Sequence, residues 1–403
     1  MTRVTVPSFT VGRLPRITFG PGVFADVPGI VARHGQRALL VTGGRSFRES
    51  PRLEELGRGL AAQGVRLVGE VAVTGEPSVT DVEEALARHR AADVEVVLGI
   101  GGGSALDTAK AIAGLLRSGT DLLDHLEGVG RGLPYPGPAL PSVAVPTTAG
   151  TGSEATRNAV FSSRGAGGYK RSFRDERLVP AEAVVDPDLL AGAPPDLIAA
   201  NGLDALTQLL EAFVSPRASP FTDSLARSGL MAARVGLLPW FSGQGDPEAA
   251  TARASMAYAA LLSGICLAEA GLGAVHGLAS PLGALWPIPH GMACGAVLWQ
   301  TVRANITALE GRAADSPALP RYAEVGRLLG GLPASTADAE ARASLVDTLR
   351  EWTGLLEVPS LSRFGMAAAD IEAVVRDSAG GSMRSNPIEL SPDELTRVLA
   401  SAL

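Results

Sequence analysis

The chain has 403 residues, 46% of them hydrophobic and 19% charged, which is enough for two or three folded domains with a large core. A net charge of −7 argues against a nucleic-acid-binding surface. No uncharged apolar run of about 18 residues and no apolar leader follow Met1, so we expect no membrane span or signal peptide. Two cysteines predict no disulfide framework, as in a reducing cytoplasm.

Strands and helices alternate through the first half of the chain. Residues 1–25 are predicted to form a short β-hairpin region. Apolar periodicity then predicts helix 23–34, strand 37–42, helix 52–63, strand 65–73, helix 79–91, strand 94–100, helix 105–116 and strand 141–145. This alternation favours a parallel, doubly wound sheet. Residues 127–141 are predicted as a loop and residues 161–176 as a hairpin or loop.

The second half of the chain shows helical patterns and almost no strands. The predicted helices are 195–211, 222–236, 248–267, 277–284, 293–305, 322–329, 339–353, 367–378 and 392–403. The change of character falls close to Asp186-Pro187. We therefore expect an α/β domain over residues 1–187 and an all-helical domain over residues 188–403.

A glycine-rich turn follows the strand 94–100. It contains Gly101, Gly102 and Gly103, and Ser104 stands where the N-cap of the next helix is predicted. A strand, a glycine turn and a helix present free backbone N–H groups and the positive end of a helix dipole to an anion. The spacing is neither that of G-x-G-x-x-G nor that of a P-loop, and a plain tight turn is the alternative interpretation.

A second loop, Pro-Thr-Thr-Ala-Gly-Thr-Gly-Ser-Glu over residues 146–154, follows the strand 141–145. Its candidate ligand-binding hydroxyl groups are those of Thr147, Thr148, Thr151 and Ser153. Because both loops lie at the carboxyl ends of strands in one open sheet, they suit a single ligand that carries a pyrophosphate.

A third stretch, Gly43-Gly44-Arg45-Ser46, follows the strand 37–42. In doubly wound dinucleotide-binding folds an acidic residue at this place binds the ribose hydroxyls of NAD. Small residues and a cation instead suit the 2′-phosphate of NADP. A plain polar turn that tolerates either cofactor is the alternative.

Asp204 and Gln208 lie four residues apart on a predicted helix and therefore share a face. His276 and His290 each adjoin a glycine in an apolar region. Two histidines and an aspartate from different helices make a metal pocket plausible, and hydrogen-bonded core histidines are the alternative. The remaining histidines are predicted at the surface: His34, His89 and His125.

The motifs Gly-Gly-Gly-Ser-x-x-Asp-x-x-Lys, at residues 101–110, and Pro-Thr-Thr-x-Gly-Thr-Gly-Ser-Glu, at residues 146–154, resemble those of the iron-containing (group III) alcohol dehydrogenase family. The resemblance extends from Phe19 to Pro387. It implies a nicotinamide dinucleotide-binding α/β domain, a helical metal and substrate domain, and a homodimer or larger homo-oligomer. An edge strand near the N-terminus is a candidate for pairing between subunits.

The resemblance also implies one divalent metal, iron or zinc, held by Asp204, Gln208, His276 and His290. The family has histidine in place of Gln208, whose neutral oxygen is a weaker ligand, and a proton-relaying histidine in place of Ser280. A metal would supply Lewis-acid stabilisation of an alkoxide-like oxygen. Without a metal, His276 or His290 would act as general acid and base.

For the cofactor, the resemblance implies contacts by Asp107 and, near the nicotinamide ribose, by Lys170, for which a surface position is the alternative. In this family a glycine-serine loop after the second strand goes with NADP and an aspartate goes with NAD, so we expect NADP and keep NAD as possible. The predicted cofactor-binding residues are Gly43, Gly44, Arg45, Ser46, Gly101, Gly102, Gly103, Ser104, Asp107, Thr147, Thr148, Thr151, Ser153 and Lys170.

These expectations combine into an NAD(P)-dependent oxidoreductase that moves a hydride between the cofactor and a small alcohol or carbonyl compound in a cleft between the domains. One alternative is a metal-independent reductase that resembles maleylacetate reductase. A second is an oxidative dehydrogenase of a β-hydroxy acid, whose β-keto product loses CO2 unaided. A third is a degenerate, non-catalytic member of the family.

Overall fold

The computed structural model describes residues 6–163, 168–243 and 247–403. The described residues group into two compact units. One unit comprises residues 12–191, and the other comprises residues 6–11 together with Gly192–Leu403. The first unit is an α/β structure and the second is helical.

The α/β unit is built on a six-stranded sheet in the order β1-β8-β5-β4-β2-β3, in which each neighbouring pair is parallel. The strands are β1 (Arg16–Phe19), β2 (Arg37–Gly43), β3 (Arg66–Val73), β4 (Val96–Gly101), β5 (Ser142–Pro146) and β8 (Glu182–Val185). Gly101 at the end of β4 pairs with Pro146 at the end of β5. The two loops singled out in the sequence therefore leave the sheet side by side.

Helices cover both faces of this sheet. They are α1 (Val27–Ala32), α2 (Pro51–Ala62), α3 (Val79–His89) and α4 (Gly103–Leu115). Leu40 of β2 packs in one core cluster with Val27 and Leu56, whereas Leu39 packs in another with Leu86 and Ile112. Successive residues of a strand point to opposite faces, so β2 is buried on both sides. The predicted parallel, doubly wound sheet is confirmed.

Several local predictions for this unit are wrong. Over the described residues of 1–25 there is no hairpin, because β1 pairs in parallel with β8, a strand far away in the sequence. His89 and His125 are buried rather than exposed. His125 stacks on Phe173, and His89 fills the space beside Gly69. These contacts join distant residues, and no local pattern in the sequence reports them.

A two-stranded antiparallel sheet completes the α/β unit. It consists of β6 (Asn158–Ser163) and β7 (Tyr169–Arg174), which fits the predicted hairpin or loop over 161–176. Residues 164–167 of that prediction lie outside the described residues.

The helical unit contains nine α-helices in its described residues, joined by short turns and 3-10 helices. They are α5 (Pro195–Val214), α6 (Pro220–Ser242), α7 (Pro247–Ala270), α8 (Ala274–Leu285), α9 (His290–Arg312), α10 (Ala318–Gly330), α11 (Asp338–Leu355), α12 (Ile371–Asp377) and α13 (Pro392–Ala400). The all-helical prediction for this half is confirmed.

Two of these helices, α5 and α7, are long and apolar enough to cross a membrane. The apolar window is 89% buried inside the protein in α5 and 61% buried in α7. Core helices of water-soluble proteins show the same combination, so length and apolarity are weak evidence for a membrane span here.

A buried lysine ties α4 to the loop that follows β5. Lys110 Nζ lies 3.0 Å from Asp107 Oδ1, donates to the Ser153 carbonyl at 3.0 Å and donates to Thr156 Oγ1 at 2.9 Å. Glu154 is buried beside this network, and burial raises its pKa to about 7. The side chain of Lys110 therefore anchors the loop that follows β5 to α4.

Helices α5 and α9 approach each other closely at Gly291. A Cβ atom at this position would lie 1.9 Å from the carbonyl oxygen of Ala200 on α5. Gly291→Ala should therefore push the two helices apart and lower the free energy of unfolding by about 2 kcal/mol. Urea denaturation followed by circular dichroism measures this loss.

Gly311, on the same helix, provides the matched control because nothing lies within 4 Å of its Cβ position. Gly311→Ala should leave the protein equally stable or stabilise it by about 0.5 kcal/mol through helix propensity. Equal unfolding free energies for the two variants would contradict close packing at Gly291.

The raised pKa of Glu154 makes stability depend on pH. The folded state holds a proton on this carboxyl that the unfolded chain releases near pH 4.5, so stability falls as pH rises from about 4.5 to about 7. Glu154→Gln removes this loss. Its stability relative to the parent should rise by up to about 3 kcal/mol between pH 5 and pH 8 in urea titrations.

Glu84→Gln, on the exposed side of α3, controls for the loss of one carboxylate. If the stability difference between Glu154→Gln and the parent is the same at both pH values, Glu154 is ionised throughout and the explanation fails.

Candidate dinucleotide and metal sites

The glycine turn between β4 and α4 is tightly packed. The N-cap of α4 is Gly102 and the helix begins at Gly103. The prediction of Ser104 as N-cap is therefore wrong, and Ser104 lies in the first helical turn. A Cβ at Gly101 would lie 2.6 Å from the Cβ of Ala105, so the chain turns here only with glycine.

The second loop lies directly against this turn. The Thr147 N–H donates to the Gly101 carbonyl at 2.9 Å. Thr148 packs against Gly102, and the Thr151 methyl group lies 2.7 Å from the Cβ position of Gly103. The structure thus brings together the two predicted phosphate-binding stretches at a helix N-terminus, where backbone N–H groups attract anions.

Asp107 and Ser153 form part of the support beneath the loops. Ser153 Oγ donates to Asp107 Oδ1, and the Val160 N–H donates to Asp107 Oδ2 at 2.9 Å. Both side chains are buried. The observed contacts give them a role in positioning the loops, and contact with a cofactor stays a prediction for both.

The stretch Gly43–Ser46 lies at the same edge of the sheet. The backbone nitrogen of Gly43 is 3.1 Å from the Cβ position of Gly101, so the end of β2 adjoins the glycine turn. Gly44 packs against Thr74. Arg45 and Ser46 are exposed, and Arg45 Nε lies 3.1 Å from Glu49. A guanidinium that is paired with Glu49 is therefore exposed beside this edge.

Lys170 lies on β7 and is largely buried. Its Nζ donates to Glu76 Oε2 at 2.9 Å, and Ser162 Oγ donates to the same oxygen at 3.1 Å. A cavity of about 450 Å³ adjoins these groups and is lined in part by Glu76, Ser162 and Tyr169. The sequence analysis missed Glu76, which no motif marked.

In the helical unit, four metal-binding side chains converge. They are Asp204 on α5, His276 on α8, and His290 and Cys294 on α9, and one donor atom from each lies within 4.8 Å of all the others. His276 Nε2 is 3.1 Å and His290 Nε2 is 3.9 Å from Asp204 Oδ1. The structure therefore brings together three of the predicted metal ligands, and the fourth, Gln208, adjoins Asp204.

A second carboxylate, Glu211, orients His276. His276 Nδ1 donates to Glu211 Oε2 at 2.7 Å, and Glu211 Oε1 accepts the Val275 N–H at 2.7 Å. The Nε2 atom is thereby aimed at Asp204. Metal-binding histidines commonly donate their other ring nitrogen to a carboxylate in this way. Glu211 was missed, although it lies two helical turns after Asp204 and hence on the same face of α5.

Gln208 lies beside the cluster but presents its amide nitrogen to it. Its Nε2 donates to Asp204 Oδ1 at 2.9 Å, and its Oε1 accepts the hydroxyl hydrogen of Ser263 at 2.7 Å. An amide NH2 group offers no lone pair to a metal. In this conformation Gln208 donates to Asp204, and its role as a metal ligand stays a prediction.

The charges in this cluster shift several pKa values. Burial opposes ionisation of Asp204, but the hydrogen bond from His276 and the charge of His290 lower its pKa. Burial also opposes protonation of His276, yet the charges of Cys294 and Glu211 and the hydrogen bond to Asp204 raise its pKa well above the usual range. Burial raises the pKa of Cys294. Two buried carboxylates, those of Asp204 and Glu211, thus flank the ring of His276.

The donor chemistry fits a divalent transition metal. A carboxylate, two imidazoles and a thiol are ligands of zinc and iron, and their donor atoms lie close enough to share one ion. Cys294 was missed as a candidate, although it follows His290 by one helical turn. Ser280 follows His276 by one turn on α8 and is half-buried.

Comparison with known proteins identifies the family of this chain. The family model for iron-containing alcohol dehydrogenase matches residues 15–187, and the model for the C-terminal domain of the Fe-containing alcohol dehydrogenase family matches residues 198–403. Alcohol dehydrogenase 4 of Saccharomyces cerevisiae is 32% identical over 399 residues, which cover 96% of this chain and 97% of the yeast protein.

Two solved structures share the fold. That of 1,3-propanediol oxidoreductase superposes with a TM-score of 0.87 at 28% identity, covering 98% of this chain and all of the other. Sulfoacetaldehyde reductase from Bifidobacterium kashiwanohense, solved with NAD+, gives a TM-score of 0.84 at 26% identity over 98% of this chain and 99% of the other. The chain therefore belongs to the iron-containing alcohol dehydrogenase family and is an oxidoreductase of the alcohol dehydrogenase type.

Proposed function

We propose that the protein is an NADP-dependent, metal-assisted dehydrogenase that interconverts a small alcohol and its aldehyde or ketone. The observation that carries this proposal is the convergence of Asp204, His276 and His290, with His276 oriented by Glu211. The relatives add support, because one is named for 1,3-propanediol and another is a reductase of an aldehyde.

In the proposed reaction the substrate oxygen meets the cluster in the helical unit, with Asp204, His276 and His290 as metal-binding residues. A metal held there would supply Lewis-acid stabilisation of the alkoxide that forms when the alcohol loses its proton, before the hydride leaves, and of the negative charge that develops on a carbonyl oxygen when the hydride arrives in the reverse direction. Glu211 holds His276 in the orientation that directs Nε2 at Asp204. Ser280 offers a hydroxyl group on the same face of α8.

The cofactor phosphates are proposed to bind at Gly102, Gly103 and Ser104, where the first turn of α4 offers N–H groups. Thr147, Thr148 and Thr151 contribute hydroxyl groups beside them. Lys110 and Asp107 fix the position of the loop after β5 through their contacts with Ser153. The cavity beside Lys170 and Glu76 is the candidate site for a further part of the cofactor.

We further propose a cytoplasmic homodimer or larger homo-oligomer. The two cysteines are buried and unpaired, which suits a reducing compartment. The strand β1 lies at one edge of the sheet, and Ile17 and Phe19 on it are partly exposed. Edge strands are common places for pairing between chains.

The reaction is tested with protein purified without oxygen or chelator and supplied with Fe(II) or Zn(II). Short primary alcohols and diols should reduce NADP+ in a metal-dependent manner, as measured by NADPH absorbance. Asp204→Asn should lower kcat/KM by at least about 100-fold because the developing charge loses its stabilisation.

Asp347→Asn, at an exposed position of α11, is the control and should retain parental activity. Failure of every alcohol and carbonyl compound in the panel, with cofactor bound, would overturn the proposed reaction. Turnover that survives a strong chelator would instead support metal-independent chemistry at His276 or His290.

Cofactor preference is tested at Gly43, where nothing lies within 4 Å of the Cβ position. Gly43→Asp adds a carboxylate at the end of β2 without a clash. It should weaken NADPH binding by at least about tenfold through repulsion of the 2′-phosphate and should improve NADH binding. Fluorescence titration with each reduced cofactor measures both dissociation constants.

Gly57→Asp, on α2, adds the same charge in the same unit at another site with open space and should leave both constants unchanged. A parent that binds NADH more tightly than NADPH, or a Gly43→Asp variant with an unaltered ratio of the two constants, would refute the NADP assignment.

A further inference from the structure

We infer that Cys294 is the fourth ligand of the metal site and that its thiolate makes the site selective for zinc over iron. This inference rests on the metal site of the proposed function. It replaces the ligand role expected of Gln208 with one for a residue that no motif in the sequence marked.

The geometry of the cluster carries the inference. The sulfur of Cys294 lies within 4.8 Å of the donor atoms of Asp204, His276 and His290. In a tetrahedral zinc site with ligand distances of about 2.0–2.3 Å, donor atoms lie about 3.3–3.8 Å apart. Small side-chain movements therefore bring all four donors to one ion.

The position of Cys294 in α9 explains why it reaches the cluster. His290 and Cys294 are separated by one helical turn, so both side chains project from the same face. Cys294 is fully buried, and its sulfur lies within 4.8 Å of a ring nitrogen of His276. Its sulfur thus lies among charged and polar groups.

The conformation of Gln208 also favours Cys294 over Gln208 as the fourth metal ligand. Its carbonyl oxygen accepts from Ser263 and its NH2 group donates to Asp204. To bind a metal, the amide would have to turn over and lose both hydrogen bonds in a buried site. Cys294 needs no such exchange, and its thiolate is a stronger zinc ligand than an amide oxygen.

Metal binding by Cys294 forms one metal–sulfur bond and breaks the S–H bond, and the proton passes to solvent. No oxidant or reductant is needed. Soft thiolate ligands favour zinc, whereas oxygen and nitrogen ligands discriminate less between zinc and iron. Zinc accepts a fifth ligand in catalytic sites, so four protein ligands leave room for substrate.

The test uses the full-length protein with Co(II), a spectroscopic substitute for zinc. A thiolate ligand gives a sulfur-to-cobalt charge-transfer band in the near ultraviolet. The parent should bind one Co(II) per chain and show this band. Cys294→Ser should lose the band and should bind zinc about 100-fold more weakly in competition with a chromophoric chelator.

Cys266→Ser is the matched control, because Cys266 is also buried and free but hydrogen-bonds to the Thr222 carbonyl on α6. It should keep both the band and the zinc affinity. Circular dichroism of each variant reports whether the fold is retained.

The outcomes separate this inference from the proposed function. One Co(II) per chain that depends on Asp204 but gives no sulfur band overturns the role of Cys294 and leaves the metal site standing. Absence of Co(II) and zinc binding in the parent overturns both. When Fe(II) and Zn(II) are offered together without oxygen, preferential uptake of iron overturns the zinc selectivity.

Discussion

The hydrogen bonds of Glu211 are the constraint on which the candidate metal site depends. One oxygen of this buried carboxylate holds the first turn of α8, and the other holds the ring of His276. Asn386 satisfies a second N–H group at the same helix start, that of Ala274. Because the carboxylate itself belongs to α5, Glu211 links the start of α8 to the helix that carries Asp204 and sets the direction in which His276 points.

In the α/β unit, the buried side chain of Lys110 joins two segments in a comparable way. Parallel strands end at one edge of a sheet, which brings the turn after β4 and the loop after β5 together without further help. Lys110 then fixes their separation by binding backbone carbonyls of the loop from within α4. The fold therefore holds these two loops, to which we assign the cofactor phosphates by proposal, in place before any ligand arrives, and such preorganisation lowers the entropic cost of binding.

The sequence was sufficient for the sheet, the helical half and the two glycine-rich loops, because these follow from local periodicity and turn chemistry. It was insufficient where distant residues meet. The N-terminal strand was assigned to a hairpin because its partner, β8, lies far along the chain. Glu211 and Cys294 share helix faces with Asp204 and His290, but nothing local distinguishes a carboxylate or thiol that faces a pocket from one that faces a neighbouring helix.

Because Lys110 is buried, the surface of the protein offers few lysine amines. The chain contains only two lysines, and the other, Lys170, is paired with Glu76 and largely enclosed. All other long basic side chains are arginines, which stay protonated at any accessible pH and resist acylation. Among the lysines, reagents directed at amines will therefore meet Lys170 first. Of the two lysines, an amine-reactive nucleotide analogue should consequently label Lys170, beside the cavity that this residue adjoins.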